Sequence, residues 1–207
     1  MTAALAEIRG WGPFFAVRTE PPRPPWRPVR ELLDPGVLAG RVDTVRRSLG
    51  SDMRVAASVA QLGLAARLVA PPLGLFVHSG AWLAVAGLWW RGDLSGAFPL
   101  ATAGQVTGSP DELIGWLGEL VDVTAGFSVS RTVLWGNVAS ALNGAATVIG
   151  AARPDLAAAA TAAVDDLPVV REHGVRGEGG FRRRSCCLIY RATGRSAVCG
   201  DCVLSRW

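Results

Sequence analysis

Residues 182–204, RRRSCCLIYRATGRSAVCGDCVL, contain all four cysteines of the chain, in the order C-C-x11-C-x2-C. Four thiolates within seventeen residues can converge on one metal centre. In the C-x2-C half, Gly200 gives the backbone the freedom to wrap around an ion. The Cys186-Cys187 doublet is less usual, because neighbouring Cα atoms lie about 3.8 Å apart and extended side chains point to opposite faces. Both thiols can ligate one site only if the backbone turns there.

Three kinds of site compete for these cysteines. Structural zinc normally uses two spaced pairs of ligands, so the doublet is atypical for it. Paired disulfides are rare in the cytosol, and residues 1–7 have neither the basic nor the apolar stretch of a signal peptide. We therefore expect a cytoplasmic protein. An iron–sulfur cluster can also be held by four cysteines, and spacing alone leaves zinc and iron–sulfur both open.

The composition of the 207-residue chain is that of a folded protein. Half of the residues are apolar and 18% are charged, which excludes a disordered chain. All 21 basic residues are arginine, and the net charge is +4. That charge is too small to indicate a nucleic-acid binder, and basic residues are not interleaved with aromatic ones as such proteins require. We expect no nucleic-acid partner.

The segments upstream of the cysteines are mainly helical in pattern. Asp34 can cap a helix with Pro35 in its first turn and Gly50 as its stop. A capping box over 109–112 (Ser-Pro-Asp-Glu) predicts another well-marked helix. Residues 73–105 predict short strands or irregular buried segments. Further helices are predicted over about 52–69, 130–151 and 154–166. The predicted fold class is mainly α with a few short β-strands (α+β), a helical body with a small C-terminal lobe.

Three parts are expected along the chain. Residues 1–33 form an N-terminal strap, because its Pro- and Arg-rich run over 19–30 cannot be regular helix. Residues 34–171 form the helical body. Residues 172–207 form the cysteine-rich lobe, which is reached through a flexible glycine-rich segment.

One stretch has the length of a membrane span. Residues 68–90 contain no Asp, Glu or Arg, as a bilayer-spanning segment requires. The same stretch contains Pro71-Pro72 and Gly80. We therefore expect a buried helix followed by core strands rather than a span.

Two motifs near the C-terminus carry a family resemblance. R-R-x-C-C-x-x-Y-R over 183–191, followed after a turn by C-G-D-C over 199–202, resembles the FhuF-type ferric siderophore reductases. That family has ten residues between its cysteine pairs, and this chain has eleven. The extra residue falls in the turn that contains Gly194, where an insertion costs little.

Two further stretches are similar to the same family. Residues 134–137 are similar to its L-W-G-N helix, and residues 66–71 are similar to its A-R-L-x-x-P segment. The likeness spans roughly residues 52–207. It leaves out the proline-rich start of the chain.

The resemblance implies a [2Fe–2S] cluster and a one-electron reductase. The ligands would be Cys186, Cys187, Cys199 and Cys202. The substrate would be Fe³⁺ in a hydroxamate-type siderophore, released as Fe²⁺, and the electron would come from a ferredoxin-like or flavin-linked donor. A position at the inner face of the membrane is a further expectation. The alternative is a non-catalytic metal-binding protein with a structural zinc or a sensory iron–sulfur site.

Several residues around the cysteines are candidates for docking a donor or substrate. Arginines can steer an acidic donor or an anionic iron chelate, although an exposed basic tail would look the same in the sequence. Trp135 and Asn137 are candidates on the L-W-G-N helix, with core packing and a backbone tie as their structural alternatives. The arginine candidates are Arg182, Arg183, Arg184, Arg191 and Arg195, and Arg206 belongs to the same basic group.

Overall fold

The computed structural model describes residues 2–19, 23–92, 94–103, 107–192 and 198–204. Within these ranges the helices are α1 Thr2–Ile8, α2 Pro35–Leu49, α3 Met53–Ser79, α4 Pro110–Ala125, α5 Arg131–Ala152, α6 Ala157–Asp165 and α7 Pro168–His173. The strands are β1 Val17–Arg18, β2 Arg27–Pro28, β3 Leu88–Trp90, β4 Leu100–Thr102, β5 Gly174–Gly177 and β6 Gly180–Arg183. The predicted fold class, mainly α with a few short strands, is confirmed.

Helices α3 and α5 form the centre of the molecule. They pack against each other more extensively than any other two described elements. Leu64 and Leu68 of α3 and Leu134, Val138 and Leu142 of α5 are all buried in one core. Removing such leucine and valine side chains from water contributes about 1.5–3 kcal/mol each, so this contact accounts for much of the stability of the body.

Helix α3 is longer than predicted. The sequence pattern places its end near Val69, before Pro71-Pro72, but the helix continues to Ser79. Each proline removes a helical hydrogen bond at a cost of about 3 kcal/mol. Residues 67–75 are nevertheless all buried, and we attribute the continuation of the helix to that burial.

The long α3 is also apolar enough to cross a membrane by length and composition alone. In this structure 72% of its most apolar window is buried by the rest of the chain. The segment after it contains β3, at Leu88–Trp90. The expectation of a buried helix followed by a core strand agrees with this arrangement.

The predicted helix caps are present. Asp34 Oδ1 accepts hydrogen bonds from the backbone N–H groups of Gly36 (2.8 Å) and Val37 (3.0 Å). Ser109 Oγ accepts one from the N–H of Glu112 at 3.1 Å. The other half of the capping box differs, because the Glu112 carboxylate accepts from the N–H of Ala86 at 3.1 Å. That bond ties the start of α4 to the segment before β3.

The N-terminal residues, which are predicted to form a strap, contribute to the core and to a sheet. Leu5, Ile8 and Phe15 are buried in the main core. Strands β1 and β2 complete a four-stranded sheet of order β1-β4-β3-β2. Strand β1 is parallel to β4, and the other neighbours are antiparallel. Residues 20–22 of the proline-rich run lie outside the described residues.

A buried arginine joins this sheet to α3. Arg67 donates from Nη1 to the carbonyl of Phe14 (2.5 Å), from Nη2 to that of Ala16 (2.6 Å) and from Nε to that of Phe98 (2.8 Å). Burial lowers the pKa of Arg67 to about 10, so it is still a cation at neutral pH. The arginine of the A-R-L-x-x-P likeness therefore has a structural role.

The start of the C-terminal lobe is an ordered hairpin. The sequence predicts a flexible glycine-rich segment there, but β5 and β6 pair antiparallel from Gly174↔Arg183 to Gly177↔Gly180. Both strands contact α5. The glycines thus allow a tight turn at the hairpin end, and β6 leads directly to the first two cysteines.

Candidate metal centre

A sharp turn follows the cysteine doublet. Leu188 has φ +69°, a left-handed conformation that is uncommon for a residue with a side chain. Its backbone N–H donates to Cys186 Sγ at 3.3 Å. The turn that two adjacent ligands require is therefore present, and the two thiols meet different partners.

The four thiols form two pairs. Cys187 Sγ lies 3.7 Å from Cys199 Sγ, and the Cys202 thiol lies near enough to Cys186 to raise the pKa of that thiol. Two thiolates on one tetrahedral ion with metal–sulfur bonds of about 2.3 Å lie about 3.8 Å apart. The first pair therefore already has the spacing of two ligands on one metal ion.

Backbone amides also reach the sulfurs. The N–H of Leu204 donates to Cys202 Sγ at 3.3 Å, as that of Leu188 does to Cys186 Sγ. The C-x2-C turn is closed by a bond from the N–H of Cys202 to the carbonyl of Cys199 at 3.1 Å. Such N–H···S bonds stabilise thiolates and tune the reduction potential of a cluster.

Arg183 lies at the base of the site, and its side chain is only 1% exposed. Its Nη2 donates to Cys199 Sγ (3.2 Å) and to Asp201 Oδ1 (3.0 Å). Its Nη1 donates to Asn137 Oδ1 at 2.8 Å. Burial lowers the pKa of Arg183, but Asp201 and the thiols of Cys187 and Cys199 outweigh burial and leave the pKa raised. The site therefore contains a permanent buried cation.

Asn137 connects that cation to the two central helices. It is fully buried on α5, and its Nδ2 donates to the carbonyl (3.0 Å) and hydroxyl (3.1 Å) oxygens of Ser58 and to Gln61 Oε1 (3.0 Å). Ser58 Oγ in turn donates to the carbonyl of Cys187 at 2.8 Å. A continuous hydrogen-bonded network thus runs from α3 and α5 to both halves of the cysteine motif.

Gly136 allows the loop before the doublet to approach α5 closely. A Cβ at this position would lie 2.1 Å from Ser185 Oγ, far inside van der Waals contact. Ser185 Oγ donates to the carbonyl of Thr132 at 3.0 Å on the same helix. Only glycine fits here without displacing the loop that carries Cys186 and Cys187.

The paired thiols share their protons unequally. The hydrogen bond from Cys199 lowers the pKa of Cys187 to about 6, and the same bond raises the pKa of Cys199. The pKa of Cys186 is raised, chiefly by burial. One thiolate therefore forms readily in the Cys187–Cys199 pair, as ligation of a metal requires.

The donor set fits a two-iron cluster. Among the described residues, no three or more His, Cys, Asp and Glu side chains form a group that could hold a single metal ion. Two pairs of thiols suit two irons with two thiolates each. Arg183 Nε and Asp201 Oδ2 are buried beside the thiols and have no partner among the described residues. The N–H of Arg183 is thus available to a group held there.

These features fit an iron–sulfur site. Residues 183–204 match the family model described as FhuF 2Fe-2S C-terminal domain. This segment is therefore similar to a domain of the FhuF type, whose family implies a [2Fe–2S] cluster. No curated protein matches the chain. The domain match supports an FhuF-like protein related to siderophore iron reduction.

The structure distributes the expected docking residues over two environments. Arg184 and Arg191 are exposed, and Arg182 is half-buried. Arg183 and Asn137 are buried, so they hold the site from inside and offer no surface to a partner. Trp135 is half-buried and stacks on His173, with the ring centroids 6.3 Å apart. Arg195 and Arg206 lie outside the described residues.

Sequence reasoning missed three members of the site. Ser58 and Gln61 lie on α3, more than 120 residues before the doublet in the chain, and nothing local marks them. Asp201 stands inside a recognised motif, C-G-D-C, where a charged residue between two metal ligands was the available signal. Gly136 differs, because small residues at four-residue spacing on this helix predict a close neighbour there, and Ser185 is that neighbour.

We predict that Gly136→Ala disturbs the cysteine loop. The added methyl group overlaps Ser185 Oγ, so we expect a loss of about 1–3 kcal/mol in the free energy of unfolding. Urea unfolding followed by circular dichroism measures this loss. The matched control is Gly144→Ala on the same helix, where a Cβ meets no atom within 4 Å and stability should not fall.

The double variant Gly136→Ala/Ser185→Ala tests the cause of that loss. Removing Ser185 Oγ leaves its Cβ 3.4 Å from the new methyl group, which is ordinary contact. The double variant should therefore regain most of the lost stability. Equal stability of Gly136→Ala and the native protein, or no recovery in the double variant, contradicts the close-approach account.

Proposed function

We propose that this protein is a cytoplasmic ferric-siderophore reductase that transfers single electrons to Fe³⁺ held by a hydroxamate-type siderophore. The FhuF-type domain match supports the reaction class. The observation that carries the proposal is how far each cysteine is exposed to solvent. One cysteine of each pair is buried: Cys187 in the first pair and Cys202 in the second are each 1% exposed. Their partners, Cys199 and Cys186, are half-exposed. The site is thus both protected and reachable from the surface.

The proposed reaction needs little from the chain besides holding a one-electron carrier. A [2Fe–2S] cluster supplies that carrier when it is bound. Oxygen ligands such as hydroxamates bind Fe³⁺ far more tightly than Fe²⁺, so one electron is enough to loosen the iron. No proton has to be moved by a side chain. His173, the histidine closest to the cysteines in sequence, has a pKa that burial lowers, and it stacks on Trp135.

The charge distribution supports an acidic electron donor. Residues 172–207 contain seven arginines and three acidic residues, so this segment carries the whole net charge of +4. Arg184 and Arg191 are exposed there. Tyr190, Val198 and Leu204 are exposed apolar residues beside the cysteines. An apolar centre with a basic rim suits an acidic ferredoxin-like or flavin-linked protein.

The same basic surface supports a location near the anionic inner face of the membrane. Each arginine close to such a surface contributes about 1 kcal/mol of attraction. This location is part of the proposal, and it requires no membrane-spanning segment.

We predict that the reduced protein releases iron from a ferric trihydroxamate complex. Under anaerobic stopped-flow mixing, the visible absorbance of the oxidised protein should return, and a chelator should trap about one Fe²⁺ per reduced chain. Cys202→Ser should lose the visible bands and the activity together, because one thiolate ligand is removed.

The gallium trihydroxamate complex is the matched control ligand, because Ga³⁺ has the size and charge of Fe³⁺ and accepts no electron here. It should leave the protein reduced. If the ferric complex also leaves the native protein reduced, the reductase proposal is wrong. A non-catalytic metal-binding protein would then be the better account.

We predict that Arg184→Glu/Arg191→Glu slows reduction by an acidic plant-type ferredoxin. Charge reversal at the rim should lower the second-order rate constant at low ionic strength about tenfold, and the difference should shrink with added salt. The matched control is Arg9→Glu/Arg153→Glu, which changes the net charge equally. The first turns of α5 contact the lobe, whereas Arg153 lies just after the last turn of that helix. Equal slowing in both variants would show that only net charge matters.

A further inference from the structure

The order of the four cysteines leaves open which two of them hold each iron. In the simplest arrangement, cysteines that are neighbours in sequence share an iron, so that the doublet holds one iron and the C-x2-C pair holds the other. A C-x2-C turn does commonly place both thiolates on one metal ion. The contacts in this structure differ from that arrangement.

Each thiol is close to a thiol of the other half of the motif. Cys187 Sγ lies 3.7 Å from Cys199 Sγ, close to the separation of two thiolates on one tetrahedral ion. The Cys202 thiol lies near that of Cys186, and these are the two thiols that remain. The left-handed turn at Leu188 follows the doublet directly, and the two thiols of the doublet meet different partners.

Side chains and amides outside the cysteines hold the same arrangement. Arg183 Nη2 donates to Cys199, and Ser58 Oγ holds the carbonyl of Cys187. These two anchors belong to one buried network, through Asn137. The Cys186 and Cys202 sulfurs instead each accept the backbone N–H of the residue two positions later, at 3.3 Å in both cases. The two pairs thus differ in what surrounds them.

We propose that Cys187 and Cys199 hold one iron and that Cys186 and Cys202 hold the other. Both the doublet and the C-x2-C pair are then divided between the two irons. Each iron joins the segment after β6 to the C-terminal segment, so the two segments are cross-linked twice. The iron of Cys187 and Cys199 lies beside the cation of Arg183.

This inference rests on the [2Fe–2S] cluster and not on the reduction of a siderophore. Its test reads the surroundings of each iron by spectroscopy. A protein that fails to reduce ferric hydroxamates can still confirm the pairing, and an active reductase can still contradict it.

Three double variants distinguish the three possible pairings by ⁵⁷Fe Mössbauer spectroscopy of the oxidised holoprotein. Two serines on the same iron make the two irons unlike, so two distinct quadrupole doublets of equal area appear. One serine on each iron leaves the doublets similar. We expect distinct doublets for Cys187→Ser/Cys199→Ser, and similar doublets for Cys187→Ser/Cys202→Ser and Cys199→Ser/Cys202→Ser.

The other outcomes overturn the proposal. Distinct doublets for Cys199→Ser/Cys202→Ser would assign the irons to neighbours in sequence. Distinct doublets for Cys187→Ser/Cys202→Ser would assign Cys186 and Cys199 to one iron. Each variant replaces two cysteines with serine, so the loss of two thiolates is common to all three. Any difference between their spectra therefore reports which cysteines share an iron.

A second measurement covers variants that do not assemble a cluster. Excess ferricyanide strips the irons from the native holoprotein and oxidises the freed thiolates, two electrons per disulfide passing to the ferricyanide. Trypsin then gives peptides 185–191 and 196–206, each with two cysteines. Tandem mass spectrometry should find the two peptides joined by Cys187–Cys199 and Cys186–Cys202. A Cys199–Cys202 disulfide, or a Cys186–Cys199 link, contradicts the pairing.

Discussion

The guanidinium group of Arg183 carries a positive charge in a place that solvent does not reach. A buried charge is tolerated only when it is paired and hydrogen-bonded. Asn137 on α5 and Cys199 and Asp201 in the C-x2-C turn supply those partners. The need to satisfy this one cation therefore brings together helix α5, the C-x2-C turn and the strand that leads to the doublet.

The same principle works in the middle of α3. Arg67 is buried and donates to three backbone carbonyls from the N-terminal segment and the chain before β4. One arginine thus attaches the small sheet to the body, and the other attaches the cysteine lobe. Between them, α3 and α5 form a rigid core. The thiols can be positioned before any metal arrives, because their anchors belong to that core.

Local signals in the sequence predict local structure well here. Asp34 and Ser109 cap helices as expected, because a cap needs only its own next three residues. The continuation of α3 through Pro71-Pro72 was not predictable in this way, since it depends on burial by distant segments. The hairpin over β5 and β6 was also missed. Its glycines indicate freedom in the unfolded chain, while the strand pairing depends on contacts with α5.

The candidate site shows the same division. The spacing of the four cysteines predicts a metal centre, and the family likeness implies its type. The buried roles of Arg183 and Asn137 were not predictable, because an arginine next to two others reads as part of an exposed basic run. Their function depends on a contact between residues 46 positions apart. Ser58 and Gln61 add partners from still farther along the chain.

The most direct test of this account is the iron and sulfide content of Arg183→Met beside that of Arg184→Met, both purified anaerobically. Methionine removes the cation but keeps a long side chain, and Arg184 is the exposed neighbour in sequence. The account predicts two irons and two sulfides per chain in Arg184→Met and less than half of that in Arg183→Met, because Asp201 and the thiolates lose their buried counter-charge. Full and equal cluster content in Arg183→Met would contradict it.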